Sequence, residues 1–262
     1  MLNLSDDLPA AALLDGARSD LRETLADGTT LWFEGLREAF ETDPDSDVIS
    51  AWNSSSAAPF QAVPVKPNTG NGRIAKVQGH AGLSCLAGVN CGLVAPHVTT
   101  NAGHCSFAVI YQPGSSAASL TLMTLNTGEH AGGDGRANYL FLSDDGKAFT
   151  IKDTHEAVRI ETPVRSPADR PRMALVTISG DTLAFSENID EPVIARGTDP
   201  AMKMPADLFI GCRSQRKGLQ KTLGQSTILD VFFWPRNTLL LPRCPEDSAL
   251  LLAIRRYFLW GY

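Results

Sequence analysis

The chain has 262 residues, 43% hydrophobic and 20% charged, the balance of a globular protein long enough to bury a core without disulfides or metals. A net charge of −6 excludes the broad positive field of a nucleic-acid binder, and residues 213–221, with Arg213, Arg216, Lys217 and Lys221, read as a solvated loop. No apolar run reaches the roughly 18 residues of a membrane span, which excludes membrane insertion. The acidic start through Asp6 and Asp7 lacks the basic and apolar regions of a signal peptide, so folding in a cytoplasm is expected. Cys85, Cys91, Cys105, Cys212 and Cys244 are odd in number and read as reduced, partly buried thiols.

In chain order, residues 5–27 predict an amphipathic helix. Leu14, Ala17, Leu21 and Leu25 recur at helical spacing, with acids in the first turn and Asp27-Gly28 as the stop. Residues 1–28 are thus a helical extension. From residue 29 to 262 the texture is that of a β-sandwich, with short apolar runs separated by Gly, Asn, Asp, Ser and Pro. Predicted strands are 30–33, 48–52, 106–111, 119–125, 137–142, 148–152, 157–161, 172–179, 182–187, 207–211 and 227–234. Asp144-Asp145-Gly146 and Ser179-Gly180-Asp181 read as hairpin turns. Residues 53–104 show little periodicity beyond a short strand at 72–77 and read as a long insertion. A final helix opens at Pro245-Glu246-Asp247, carries Leu250, Leu251, Ile254, Tyr257 and Phe258 as its apolar stripe, and stops at Gly261.

Leu31-Trp-Phe-Glu-Gly35, then Val48-Ile-Ser-Ala-Trp52-Asn53, resemble the opening of laminin-G-like domains of bacterial and bacteriophage proteins. Leu208-Phe-Ile-Gly211, the stretch Gly224 to Trp234, and the terminal helix ending Trp260-Gly261-Tyr262 resemble the closing arrangement of the same family. Between them, Phe107 to Pro113 is similar to its central strand. The resemblance covers roughly residues 30–262, and each motif alone is weakly specific. It implies an all-β jelly-roll sandwich of the concanavalin A-like superfamily, with an N-terminal and a C-terminal helix. Trp32, Trp52, Phe107 and Phe232 are the expected anchors between two packed sheets.

Chemical motifs are sparse. A glycosidase on such a fold needs two carboxylates about 5–5.5 Å apart for retention, or further apart for inversion. Glu187, Asp190 and Glu191 are the nearest run, but their spacing and Pro192 spread them across a turn. Gly70-Asn-Gly72-Arg-Ile-Ala75 lacks the strand–helix context of a dinucleotide fingerprint and reads as a turn. Cys85, Cys91, His97, His104 and Cys105 offer zinc ligands without the close pair that pre-forms a structural site; buried thiols with loop histidines, or a Cys85–Cys91 bridge, are the other readings. Asp134, Asp144 and Asp145, in Gly-rich loops, are candidate calcium ligands, as are Asn188 and Asp190 in another loop; no other cofactor is expected.

The fold so implied, without a recognisable catalytic motif, predicts a non-enzymatic, lectin-like module binding a glycan or host-cell surface. The lack of a secretion signal, with a helical N-terminal extension on a jelly roll, suggests a tail or head fibre or spike component of a bacteriophage or phage-like particle, so the expected location is a virion and the expected partners are other virion proteins or further copies of the chain. The alternatives are a purely structural virion protein and a polysaccharide depolymerase or glucanase.

Overall fold

The computed structural model describes residues 20–262 apart from 27–29, 58, 67–69, 115–117, 129–137, 199–201 and 215–219. The helix expected over 5–27 is seen as residues 20–25 (α1); its first half, like Asp134, Arg216 and Lys217, lies outside the described residues. Almost everything else is β-strand, in two antiparallel sheets that form a sandwich.

One sheet contains β1 (Leu31–Phe33), β5 (Arg73–Val77), β6 (His80–Cys85), β8 (His104–Pro113), β13 (Arg172–Ser179), β14 (Thr182–Glu187), β15 (Val193–Arg196) and β17 (Ser226–Trp234). Its order is β15-β14-β13-β8-β17-β6-β5, with β1 also on β17. The other contains β2 (Phe40–Thr42), β3 (Ile49–Asn53), β4 (Gln61–Pro64), β7 (Leu93–Thr99), β9 (Leu120–Asn126), β10 (Tyr139–Asp144), β11 (Ala148–Asp153), β12 (Arg159–Pro163) and β16 (Ala206–Ile210), in the order β12-β11-β10-β9-β16-β7-β4-β3-β2.

Two apolar layers follow from the period-2 alternation of the strands. Phe33, Phe107, Val109, Val176, Val231 and Phe233 face the second sheet and fill the space between the two with Trp52, Leu125 and Leu142. The opposite face of the first sheet carries Trp32, Ala108, Leu175, Phe232 and Trp234, and is covered by Leu21 and Leu25 of α1 and by Leu250, Ile254 and Phe258 of the terminal helix α2 (Pro245–Gly261). Asp247 anchors the start of α2, accepting hydrogen bonds from Asn237 Nδ2, the Thr238 amide and the Arg243 amide.

Residues 53–104, expected to form an insertion, are woven into both sheets as β4 to β7. Their strands are short and their alternation is broken: β4 ends in Pro64, and β7 contains Pro96 and His97 at a φ of 54°. The apolar period that marks a strand is therefore lost although the pairing is kept.

A buried ion pair ties the sheets together. Asp144, at the end of β10, receives Arg172 Nη1 at 2.7 Å, the Tyr111 hydroxyl at 2.6 Å and the Gly146 amide at 2.7 Å. Asp145 is spent on the amides of Lys147 and Ala148, which close the β10–β11 hairpin.

Candidate active site

Most of one edge of β17 is shared by two short strands. β6 pairs with Ser226–Ile228 and β1 with Val231–Phe233, so Asp230 lies where one partner has ended and the other has yet to begin. A register shift between Ile228 and Asp230 against β8 turns Leu229 and Asp230 toward the helix-covered face. Extending the β1–β17 register by one residue puts Glu34 opposite Asp230. Two carboxylates from distant parts of the chain thus meet beneath α1 and α2.

Asp230 Oδ1 accepts the Trp32 indole N–H at 2.9 Å and the Gly35 amide at 3.1 Å; both groups can only donate. Its Oδ2 accepts the hydroxyls of Tyr257, at 3.3 Å, and Tyr262. Gly35 is needed for this approach, because a Cβ there would lie 2.7 Å from the Leu229 carbonyl oxygen and 2.8 Å from that of Ala81. Gly35→Ala is expected to cost about 1–3 kcal/mol, because rigid backbone must shift; a urea melt measures it, and an unchanged midpoint would contradict the close packing.

Glu34 is 2% exposed. Arg22 of α1 grips it at both oxygens, Nη1 to Oε1 at 2.6 Å and Nη2 to Oε2 at 2.8 Å, and Ser55 Oγ donates at 3.0 Å. Burial nevertheless raises its carboxyl from 4.5 to about 7; Arg22 opposes the rise and the neighbouring charge of Asp230 adds to it. Burial also raises Asp230 from its ordinary value, against the pull of its donors. Both tyrosines are pushed well up, chiefly by burial and then by Asp230, so they stay protonated as donors. His80 on β6 completes the cluster: its ring stacks on Tyr262 at 4.3 Å, Nδ1 lies 3.2 Å from the Tyr262 hydroxyl, and Nε2 lies 3.1 Å from the Gly261 carbonyl oxygen.

Above Glu34 is a cavity of about 170 Å³, walled by Arg22, Leu36, His80, Tyr257, Trp260 and Gly261. At roughly 30 Å³ per water, that is space for about one sugar ring. Trp260, 37% exposed, stands at the rim.

The ligand sets expected from sequence are distributed otherwise. Cys85 pairs with Ser226 and Ser226 with Pro113, at the end of β8 opposite His104 and Cys105; ten residues of strand separate them by about 30 Å. Cys105 is in the core with its Sγ directed at the Ala102 carbonyl oxygen, His104 Nδ1 faces Ser179 Oγ at 3.3 Å, and the His97 amide donates to Asp207. The five zinc candidates therefore do not converge. All five cysteines are free, and only Cys244 is exposed. Of the calcium candidates in the sequence, Asp144 has both oxygens occupied by Arg172, Tyr111 and the Gly146 amide, and Asp145 Oδ1 holds the amides of Lys147 and Ala148. In the other candidate loop, Asn188 Oδ1 accepts the Met173 amide, and Asp190 pairs with Arg165 at 3.3 Å. Among the described residues no three His, Cys, Asp or Glu side chains are grouped to hold a metal ion. Glu187 accepts the amides of Arg165 and Ser166 at 2.9 Å each, and only about 10 Å³ of space adjoins this run. Arg213 lies 3.7 Å above the Phe141 ring, half-buried, with Nε on Thr121 Oγ1, so it belongs to the packing rather than to a solvated basic loop.

Glu34 and Asp230 have no mutual spacing to betray them. The available signal is a lone acid inside each of two apolar runs, 31–36 and 228–234.

No family model and no curated protein matches the sequence. Solved structures do resemble the fold. Trypanosoma rangeli sialidase in complex with sialic acid matches 93% of this chain and 39% of its own, at a TM-score of 0.56 and 12% identity. Domain 4 of a GH43 extracellular arabinanase from Geobacillus stearothermophilus, in complex with arabinotriose, matches 84% of this chain and 96% of its own, at 0.52 and 9%. An arabinofuranosidase complexed with arabinofuranosyl-alpha-1,2-xylobiose matches 79% and 50%, at 0.52 and 12%. The chain spans about half the length of the arabinofuranosidase and less of the sialidase. At such identities the likeness shows the fold alone. The expectation of a non-enzymatic, lectin-like module is corrected by it, because the solved structures sharing this sandwich come from carbohydrate-active enzymes; the depolymerase alternative fits them better. The chain is a two-sheet antiparallel β-sandwich of the kind those enzymes contain, with a short N-terminal helix and a C-terminal helix.

Proposed function

We propose that this chain acts on glycosidic bonds, with Glu34 as the acid/base group and Asp230 as its charged partner. One observation carries the reading: a carboxyl held near pH 7 beside a second buried carboxylate, at the wall of a cavity that admits one sugar ring. Arg22, whose side chain is 49% exposed, must swing aside to open Glu34 to a substrate. The protonated Glu34 then gives its proton to the leaving oxygen as the C–O bond breaks. The negative charge of Asp230 favours the positive sugar carbon, and the Glu34 carboxylate takes a proton from the incoming water. Trp260 offers a flat apolar face for the sugar's C–H groups. Glycans are accordingly the partners. We also assign the sandwich to the laminin-G-like branch of concanavalin A-like folds, on the Leu31–Gly35 and Leu208–Gly211 motifs and the terminal helix.

The test is turnover on a panel beginning with 4-nitrophenyl α-L-arabinofuranoside, arabinan and sialyllactose, chosen for the named neighbours. Turnover of at least one, falling as pH rises past about 7, supports the reading. Trp260→Ala should then raise KM roughly tenfold with little change in kcat, as lost stacking implies. No turnover across a broad glycoside panel by folded protein would overturn it.

A further inference from the structure

Three thiols distant in sequence converge at one end of the sandwich. β7 and β16 are antiparallel with Ile210 opposite Leu93 as their last pair, and just beyond it Gly211-Cys212 and Cys91-Gly92 adjoin. The packing is close: a Cβ added to Gly92 would lie 2.3 Å from Cys212 Sγ. Cys85 arrives from the other sheet at the end of β6, and a Cβ on Gly211 would lie 2.9 Å from its Sγ. Two glycines thus leave room for the Cys212 and Cys85 sulfurs, and Gly211, at a φ of 72°, also turns the chain there.

Cys85, Cys91 and Cys212 are 6%, 3% and 1% exposed. Burial raises all three thiols, Cys85 to about 12. Charge on Cys91 raises Cys85 further, and charge on either raises Cys212, so the three are within electrostatic reach. At Cys91 the rise is opposed by the Leu86 backbone and by Arg73. The loop that leads to it from Cys85 carries the exposed side chains of Leu86 and Val89. The Cys212 sulfur packs against Gly92, the residue next to Cys91, and this is the proximity that a disulfide between the two would use.

We propose that Cys91 and Cys212 form a thiol–disulfide pair, oxidised by a small-molecule disulfide of the oxidised-glutathione class. The Cys91 thiolate attacks one sulfur of the reagent, forming a mixed disulfide and releasing a thiolate that takes up the proton Cys91 lost. Cys212 attacks the Cys91 sulfur next, the S–S bond closes between β7 and β16, and the second small thiol leaves with the Cys212 proton. Two protein thiols are oxidised and one disulfide is reduced.

The experiment uses the full chain carrying Cys244→Ser, which removes the exposed thiol outside the cluster and leaves four. After incubation with oxidised glutathione, thiols titrated in denaturant should fall from four to two. Non-reducing peptide mapping should join the Cys91 and Cys212 peptides, Tm should rise by roughly 5–10 °C, and dithiothreitol should reverse all three changes. Adding Cys85→Ser should preserve the linkage. Four titratable thiols after oxidation, a mixed disulfide that never closes, or a bridge that omits Cys212 would each overturn the proposal.

Discussion

Glu34→Gln is expected to lower glycoside turnover by at least about 100-fold, the usual scale for removing a general acid, and to flatten the pH dependence of stability. The two effects share one cause. Burial raises the Glu34 carboxyl from 4.5 to about 7, so the fold favours its protonated form. Between those values the native state binds more protons than the unfolded chain, and stability falls as pH rises. The contribution is fully present below about 4.5 and is lost through about 7, with a size on the order of 3 kcal/mol at most. Glutamine keeps the shape and an oxygen for Arg22 and Ser55 but cannot ionise. Melting curves from pH 4 to 8 should therefore slope downward for the native chain and less steeply for the variant, in which Asp230 still titrates from a raised value. Equal slopes would remove Glu34 from the titration, and unchanged turnover would remove it from the chemistry.

Asp144→Ala should destabilise the fold by about 3–5 kcal/mol, the cost of leaving a buried charge unpaired, without bearing on turnover directly. Arg172 and Asp144 are 3% and 1% exposed, and the Tyr111 hydroxyl shares the same carboxylate oxygen. Removing the carboxylate strands a guanidinium between the sheets, and Tm should drop by roughly 10 °C. Tyr111→Phe removes one donor and should cost only about 1–2 kcal/mol. Replacing both charges together, as Asp144→Leu with Arg172→Met, should recover much of the loss, since a packed apolar pair needs no solvation. A single Asp144→Ala loss below 1 kcal/mol would mean that water reaches the pair.

The strands most legible in the sequence are those buried over most of their length. β13 and β14 match their predicted bounds to the residue, because Arg172–Ser179 and Thr182–Glu187 are unbroken apolar and β-branched runs joined by Ser179-Gly180-Asp181. Where a strand is only four residues long and half-buried, as in β4, bounded by Gln61 and Pro64, and β15, pairing comes from the neighbouring backbone and leaves little trace in the side chains. The same asymmetry governs chemistry. Cys85 and Cys91 resemble partners of His104 and Cys105 in sequence because the four are close in the chain. β8 carries the latter two to the opposite end of the sandwich.

By itself the sequence determined the two-sheet class, the terminal helix and Trp52 and Phe107 as anchors between the sheets, since alternation and helical spacing are local properties that each segment displays alone; Trp32 and Phe232, expected there too, lie instead on the face that the helices cover. Only the tertiary structure decided which acids and thiols meet. The β1–β17 register sets Glu34 beside Asp230, the close packing past the ends of β7 and β16 sets Cys212 against Gly92, and the Asp144–Arg172 pair forms across the sandwich. Register between strands far apart in the chain is selected by which faces become buried, a choice made by the assembled core rather than by either strand.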